Sequence, residues 1–179
     1  MKNIVWLNGL LAGLIVSAML VISTWMCYHD ENFQSSMLVG FGTMIVAFST
    51  IFLAVKQIRD NYNQGVITLS KAFVTGVYIA LIASTIYVVV WLIAYYIFMP
   101  DFMDKYTAHV IREAKADGST QQEISAAIKE MDNYKEWYKN PVYVVLLTYM
   151  EILPVGLVMS IVSAFIVKRK LRPGTIDHP

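Results

Sequence analysis

Glu151 and Pro154 stand three residues apart inside an apolar stretch, 142–167, that is long enough to cross a bilayer. A carboxyl in the middle of a span costs roughly 3 kcal/mol on insertion scales, so it requires a partner, a proton or a task. Pro154 has no amide hydrogen and leaves the Met150 carbonyl without its usual helical bond. At about 1.5 Å per residue, Glu151 lies roughly 15 Å beyond Pro141, near the bilayer centre. Ser84 and Tyr87 sit at comparable depth on another apolar stretch, and no Lys or Arg lies inside any such stretch to answer the charge. Glu151, Pro154, Tyr87 and Ser84 therefore form a candidate intramembrane polar site. The acid is expected to be shielded from water by its neighbours and to share a hydrogen bond with Tyr87 or a carbonyl. Two roles fit: a neutral structural acid at a proline kink, or a proton or cation site.

Other reactive side chains are sparse. His109 stands one helical turn from Glu113, and His29 precedes Asp30 and Glu31, but a zinc centre needs three or four ligands. Cys27 is the single cysteine, so it has no partner for an intramolecular disulfide, and a buried inert thiol fits better than a bridge between copies. No Ser, Cys or Lys stands beside a base in sequence. The expectation is no enzyme, no metal and no cofactor.

The elements that must position the acid follow from composition. The 179 residues are 57% apolar, with a mean hydropathy of +0.54 and 15% charged residues, against roughly 25% charged in soluble domains. Four runs, about 4–28, 37–55, 72–99 and 141–168, reach or approach the roughly 20 residues a bilayer requires. The first is too long for a signal-peptide core and ends at no small-residue cleavage site, so it reads as an uncleaved span. Residues 1–99 thus hold three spans and 141–168 the fourth.

An even number of spans puts both termini on one side. That side carries Lys2, Lys56, Arg59, Lys71, Lys168, Arg169, Lys170 and Arg172 against Asp60 and Asp177, which makes it cytoplasmic by the positive-inside rule. The tail, 169–179, reads as a basic cytoplasmic segment. Small residues recur every fourth position as Gly9, Gly13 and Ser17; Gly76, Ala80 and Ser84; and Gly156, Ser160 and Ala164. Such rows let helices approach closely in lipid, within one bundle or between copies.

The segment 100–140 reads as two amphipathic helices on the other side. Phe102, Tyr106, Val110 and Ala114 form one stripe, and Gly118 suits a C-terminal cap. Ser119 and Thr120 with Gln122 and Glu123 make overlapping capping boxes, and Ile124, Ala127, Ile128, Met131, Tyr134 and Tyr138 form the second stripe. Six basic residues among eight acidic ones leave this hairpin at −2, which argues against nucleic acid.

Four segments resemble domain-of-unknown-function family 4199, small bacterial membrane proteins found largely in Bacteroidota. They are the run from Gly65 through Lys71 to Phe73, Met99 to Phe102, Asn140 with Pro141, and Glu151 to Gly156 with its Glu and Pro. The resemblance marks Gly65, Lys71, Asn140, Glu151, Pro154 and Gly156 as motif positions. It implies a four-span inner-membrane protein and supplies no activity. The expectation is therefore an all-α polytopic membrane protein with four transmembrane helices and an extramembrane two-helix hairpin between the third and fourth. It would contact membrane lipid and a membrane-protein partner or further copies of itself, as an accessory or interaction module of an envelope complex. The competing function is a small proton- or cation-responsive channel or carrier centred on Glu151.

Overall fold

The computed structural model describes residues 1–29 and 37–168, except for the side chains of Cys27 and Met37. Asp30, Glu31, His178, the Cys27 thiol and the tail 169–179 lie outside the described residues. Among those described, the chain forms six α-helices and no strand: α1 (Lys2–His29), α2 (Met37–Tyr62), α3 (Leu69–Ile93), α4 (Phe102–Ala116), α5 (Gln121–Tyr138) and α6 (Pro141–Val167). Four segments are long and apolar enough to cross a membrane: Lys2–Met26, Leu38–Tyr62, Leu69–Phe98 and Pro141–Val167, with mean hydropathies of 2.2 to 2.4.

Two helices differ from the expected bounds. α2 does not stop near residue 55 but runs through Lys56 and Arg59 to Tyr62, because no helix breaker intervenes before Gly65. The link to α3 is thus only residues 63–68, turned by Gln64 and Gly65 at φ 53° and 79°. Ile67 in this link is buried in the main core. α3 starts at Leu69, capped by the Thr68 hydroxyl, and is continued by a π-helical turn, Ala94–Phe98.

Small residues set the packing. α3 lies between α1 and α6, and a methyl group added at Gly76 would come within 2.8 Å of Ser160 Cβ. At Gly9 and Gly13 it would meet Ile82 and Ile86 at 2.8 and 2.7 Å. The rows are thus spent inside one bundle. α2 packs on α1 and α6 through Ala47, Phe48, Ile51, Ala54, Val55 and Ile58, all fully buried at three- and four-residue spacing. Outward-facing Trp6, Leu14, Leu38, Val46, Met150 and Ile166 stay exposed, an apolar girdle suited to lipid. At one end of the bundle the Arg59 guanidinium donates to the Val167 carbonyl, 3.3 Å away, and satisfies part of the α6 C-terminus.

At the opposite end α4 and α5 form an antiparallel pair. The Gly118 and Ser119 amides donate back to Lys115 and Ala114, and Gly118 takes the left-handed φ of 74° that this cap requires. Thr120 and Glu123 then close the capping box that starts α5. Met103, Thr107, Ile124 and Met131 are buried here, so the packed line of α4 is shifted by one residue from the expected Phe102, Tyr106, Val110 and Ala114. Those four are half-buried. Lys135 bonds Asp104 at 2.8 Å across the pair.

The pair is clasped to α1. The Tyr28 hydroxyl donates to the Asp101 carboxylate, while Lys105 lies 3.6 Å over the Tyr28 ring and 3.6 Å from Asp101. The Tyr28 bond first, then a backbone hydrogen bond of Asp101 itself and the Lys105 charge, hold the Asp101 carboxyl below its usual range. A depressed carboxyl contributes its stabilisation above its unfolded value, about 3.9, and loses it as pH falls through the folded value. Hydrogen-exchange protection of the first turn of α4 is therefore expected to be flat from pH 7 to 5 and to fall below about pH 4. Asp101→Asn should abolish that acid-side fall; a transition centred above pH 5 would contradict the clasp.

Candidate functional site

The ends of α1, α3 and α6 do not close on each other beneath the hairpin. They leave a cavity of about 490 Å³ with walls from five helices. α3 contributes Tyr87 and Trp91, α1 contributes Leu20, Ser23 and Thr24, and α6 contributes Thr148 and Glu151. α4 and α5 form the roof with Phe102, Met103 and Tyr106, and with Glu130, Met131, Tyr134 and Tyr138.

Glu151 is not fully covered by neighbouring helices, and its side chain lines this cavity. The Tyr87 hydroxyl donates to its Oε1 at 3.2 Å, the pairing that depth along the spans suggested. Among the described residues nothing donates to Oε2, so one carboxylate oxygen is available to a guest. Tyr87 itself is only 4% exposed, and its ring is therefore a fixed wall.

The other two candidate positions do not enter the cavity. Ser84 lies one turn before Tyr87 and is fully buried, its hydroxyl without a hydrogen-bond partner. Pro154 sits on the exposed outer side of α6, one turn beyond Glu151. The remaining motif positions serve the scaffold. Gly65 supplies a positive φ, Lys71 Nζ donates to Asn63 Oδ1 at 2.8 Å, and Asn140 caps α6 by accepting from the Val142 amide at 2.9 Å. Gly156 permits contact with Ala80 and Phe48.

The roof is tied to the walls by aromatic contacts. Trp91 meets Phe102 edge-on at 5.2 Å, Tyr95 meets Tyr138 at 5.2 Å, and Phe102 stacks on Tyr106 at 5.7 Å. Trp91 and Tyr95 are buried in this cluster. Tyr96 donates to the Tyr138 carbonyl at 3.1 Å. Burial pushes the Tyr138 phenol up to about 12, so it remains a neutral hydroxyl at physiological pH. The π-helical turn begins three residues after Trp91, and such turns are common beside functional sites.

Below Glu151 the bundle is closed. Ile152, Ala83, Ala80 and Phe48 are fully buried, and Gly76 and Gly156 let α3 and α6 approach closely, with Ser160 against Gly76 and Ala80 against Gly156. The cavity therefore ends blind. His109 Nε2 lies 3.5 Å from Glu113 Oε1, and among the described residues no three His, Cys, Asp or Glu side chains converge to hold a metal.

Thr148, Tyr134, Tyr138 and Glu130 are site residues that sequence reasoning missed. Only Thr148 carried a usable signal, being one turn from Glu151 on the same helix face. No curated protein and no solved structure matches this chain. The family model described as "Protein of unknown function (DUF4199)" matches residues 7–169, nearly the whole chain including every residue that lines the cavity, and the protein belongs to that family.

Proposed function

We propose that this protein is a non-enzymatic accessory module of an envelope membrane complex, which holds a small ligand at Glu151 and presents the covering hairpin to a partner. In this reading the four apolar helices cross the bacterial inner membrane with both termini cytoplasmic, and α4 and α5 stand on the periplasmic side. The observation that carries it is the blind cavity, which joins an intramembrane carboxylate to the residues of the hairpin. A ligand held there touches both parts, so its binding energy can bias how the hairpin sits on the bundle. Trp137 and Ile128 on the outer side of α5 are exposed apolar residues and supply a contact surface for a membrane-protein partner.

The channel or carrier reading draws on the same carboxylate, but among the described residues the packed floor below it stands against a path through a single copy of the bundle. Reconstituted into liposomes, the protein is expected to pass neither protons nor alkali cations. A flux abolished by Glu151→Gln would overturn the accessory reading in favour of transport. A photo-cross-linker at position 137 is expected to trap a membrane protein in native membranes, and trapping of lipid alone would remove the partner surface.

A further inference from the structure

The cavity combines two features that together select a guest. Six aromatic rings, Tyr87, Trp91, Phe102, Tyr106, Tyr134 and Tyr138, border it, and among the described residues the only charged side chains in its lining are the carboxylates Glu130 and Glu151. We propose that the site binds a small organic cation, an amine or quaternary ammonium group, with Glu151 as its counter-ion and the rings as its cage. This rests on the reading of the cavity as a ligand site and names the class of ligand.

The charge pattern excludes the alternatives. An anion would meet two carboxylates with no Lys or Arg among the lining residues to answer it. Two cations of the hairpin are committed elsewhere, Lys105 to Asp101 and the Tyr28 ring, and Lys135 to Asp104. A bare metal ion needs several converging oxygen or nitrogen ligands, and the described residues bring no three carboxylate, imidazole or thiol groups together. A wholly apolar guest would leave Glu151 Oε2 facing it without compensation. An alkylammonium group fits the combination, because its methyl or methylene surface is weakly hydrated and its charge is attracted to ring faces. A volume of about 490 Å³ is ample for such a headgroup with a short substituent.

The geometry also assigns the parts. Glu151 reaches the cavity with one oxygen held by Tyr87 and the other open, so the carboxylate is oriented before the guest arrives. The roof rings belong to α4 and α5, so a bound cation would draw the hairpin toward the bundle.

Titration of the purified full-length protein with choline and with benzyltrimethylammonium, followed by calorimetry and by tryptophan fluorescence, tests the assignment. The control is 3,3-dimethylbutan-1-ol, the neutral carbon isostere of choline. The cations are expected to bind at least about tenfold more tightly than the isostere. Glu151→Gln should weaken cation binding by on the order of 30-fold or more and leave the isostere unchanged. Tyr134→Leu should weaken the cations about tenfold, whereas Tyr134→Phe keeps the ring and most of the affinity. Thermal melting of each variant in detergent verifies that it is folded. Equal binding of cation and isostere would overturn the cation assignment while leaving the cavity a ligand site. Absence of binding by any of the three compounds to the folded wild-type protein would overturn it as well, and a Glu151→Gln variant with wild-type cation affinity would show that the carboxylate is not the counter-ion.

Discussion

Gly156→Leu is expected to lower the melting temperature of the purified protein by roughly 10 °C or more, the consequence of a cost of about 3 kcal/mol or above. A methyl group at this position already comes within 2.7 Å of Ala80 Cβ and 3.1 Å of the Phe48 ring. Neither neighbour has room to retreat, since both are fully buried and Ala80 Cβ is attached directly to the α3 backbone. The larger side chain must push α3 and α6 apart, and that separation forfeits the dispersion contacts of the whole seam, which in lipid are the main force joining the helices. The matched control is Gly42→Leu. Gly42 has nothing within 4 Å of the added carbon, so there the substitution gains helix propensity of up to about 1 kcal/mol and should not lower the melting point. A double variant gives the sharper test. Gly156→Ala alone should destabilise, and Ala80→Gly should recover part of the loss because it removes the atom in conflict. Independent, additive effects of these two changes would mean that the close approach of α3 to α6 is not what limits this seam.

The same pair of helices shows how much of the architecture could be read without coordinates. Small residues at intervals of four have one strong physical use in an apolar helix, and all three rows turned out to lie at helix contacts. Gly118 and the Thr120–Glu123 box were equally legible, because a left-handed cap and a reciprocal cap depend only on neighbours in sequence. The end of α2 was not. Lys56 and Arg59 lower the local hydropathy, but charge at the end of a helix does not break it, so the helix continues to the residues that do. The π-helical turn at Ala94–Phe98 has no sequence signature. Depth along the spans put Tyr87 beside Glu151, yet the same measure also selected Ser84, which lies one turn away in the packed seam. Distance along a span does not specify which face of the helix a residue occupies. The cavity was hidden for a further reason: its walls run from Leu20 to Glu151 and come from five helices, so it exists only once the hairpin has been placed on the bundle.

That placement leads to the second large effect. Trp91→Ala is expected to release the hairpin from the bundle while leaving the bundle folded. Trp91 is 6% exposed and forms the common contact of Phe102 on α4 and Tyr95 in the π-helical turn after α3, with Tyr95 in turn against Tyr138 on α5. Truncating a buried tryptophan costs about 3 to 5 kcal/mol. The loss should fall mainly on one contact, because the aromatic cluster around Trp91 is separate from the main core that runs from Ala12 through Phe48 and Ile79 to Ile152. The exposed clasp of Tyr28, Asp101 and Lys105 contributes too little at the surface to compensate. Amide exchange across Phe102–Ala116 and Gln121–Tyr138 should therefore accelerate by roughly 10²-fold or more, while the buried stretch of α2 from Ala47 to Ile58 keeps its wild-type rates. If the two regions lose protection together and by the same factor, the hairpin and the bundle open as one cooperative unit. In that case a ligand in the cavity would have no separate hairpin equilibrium to act on.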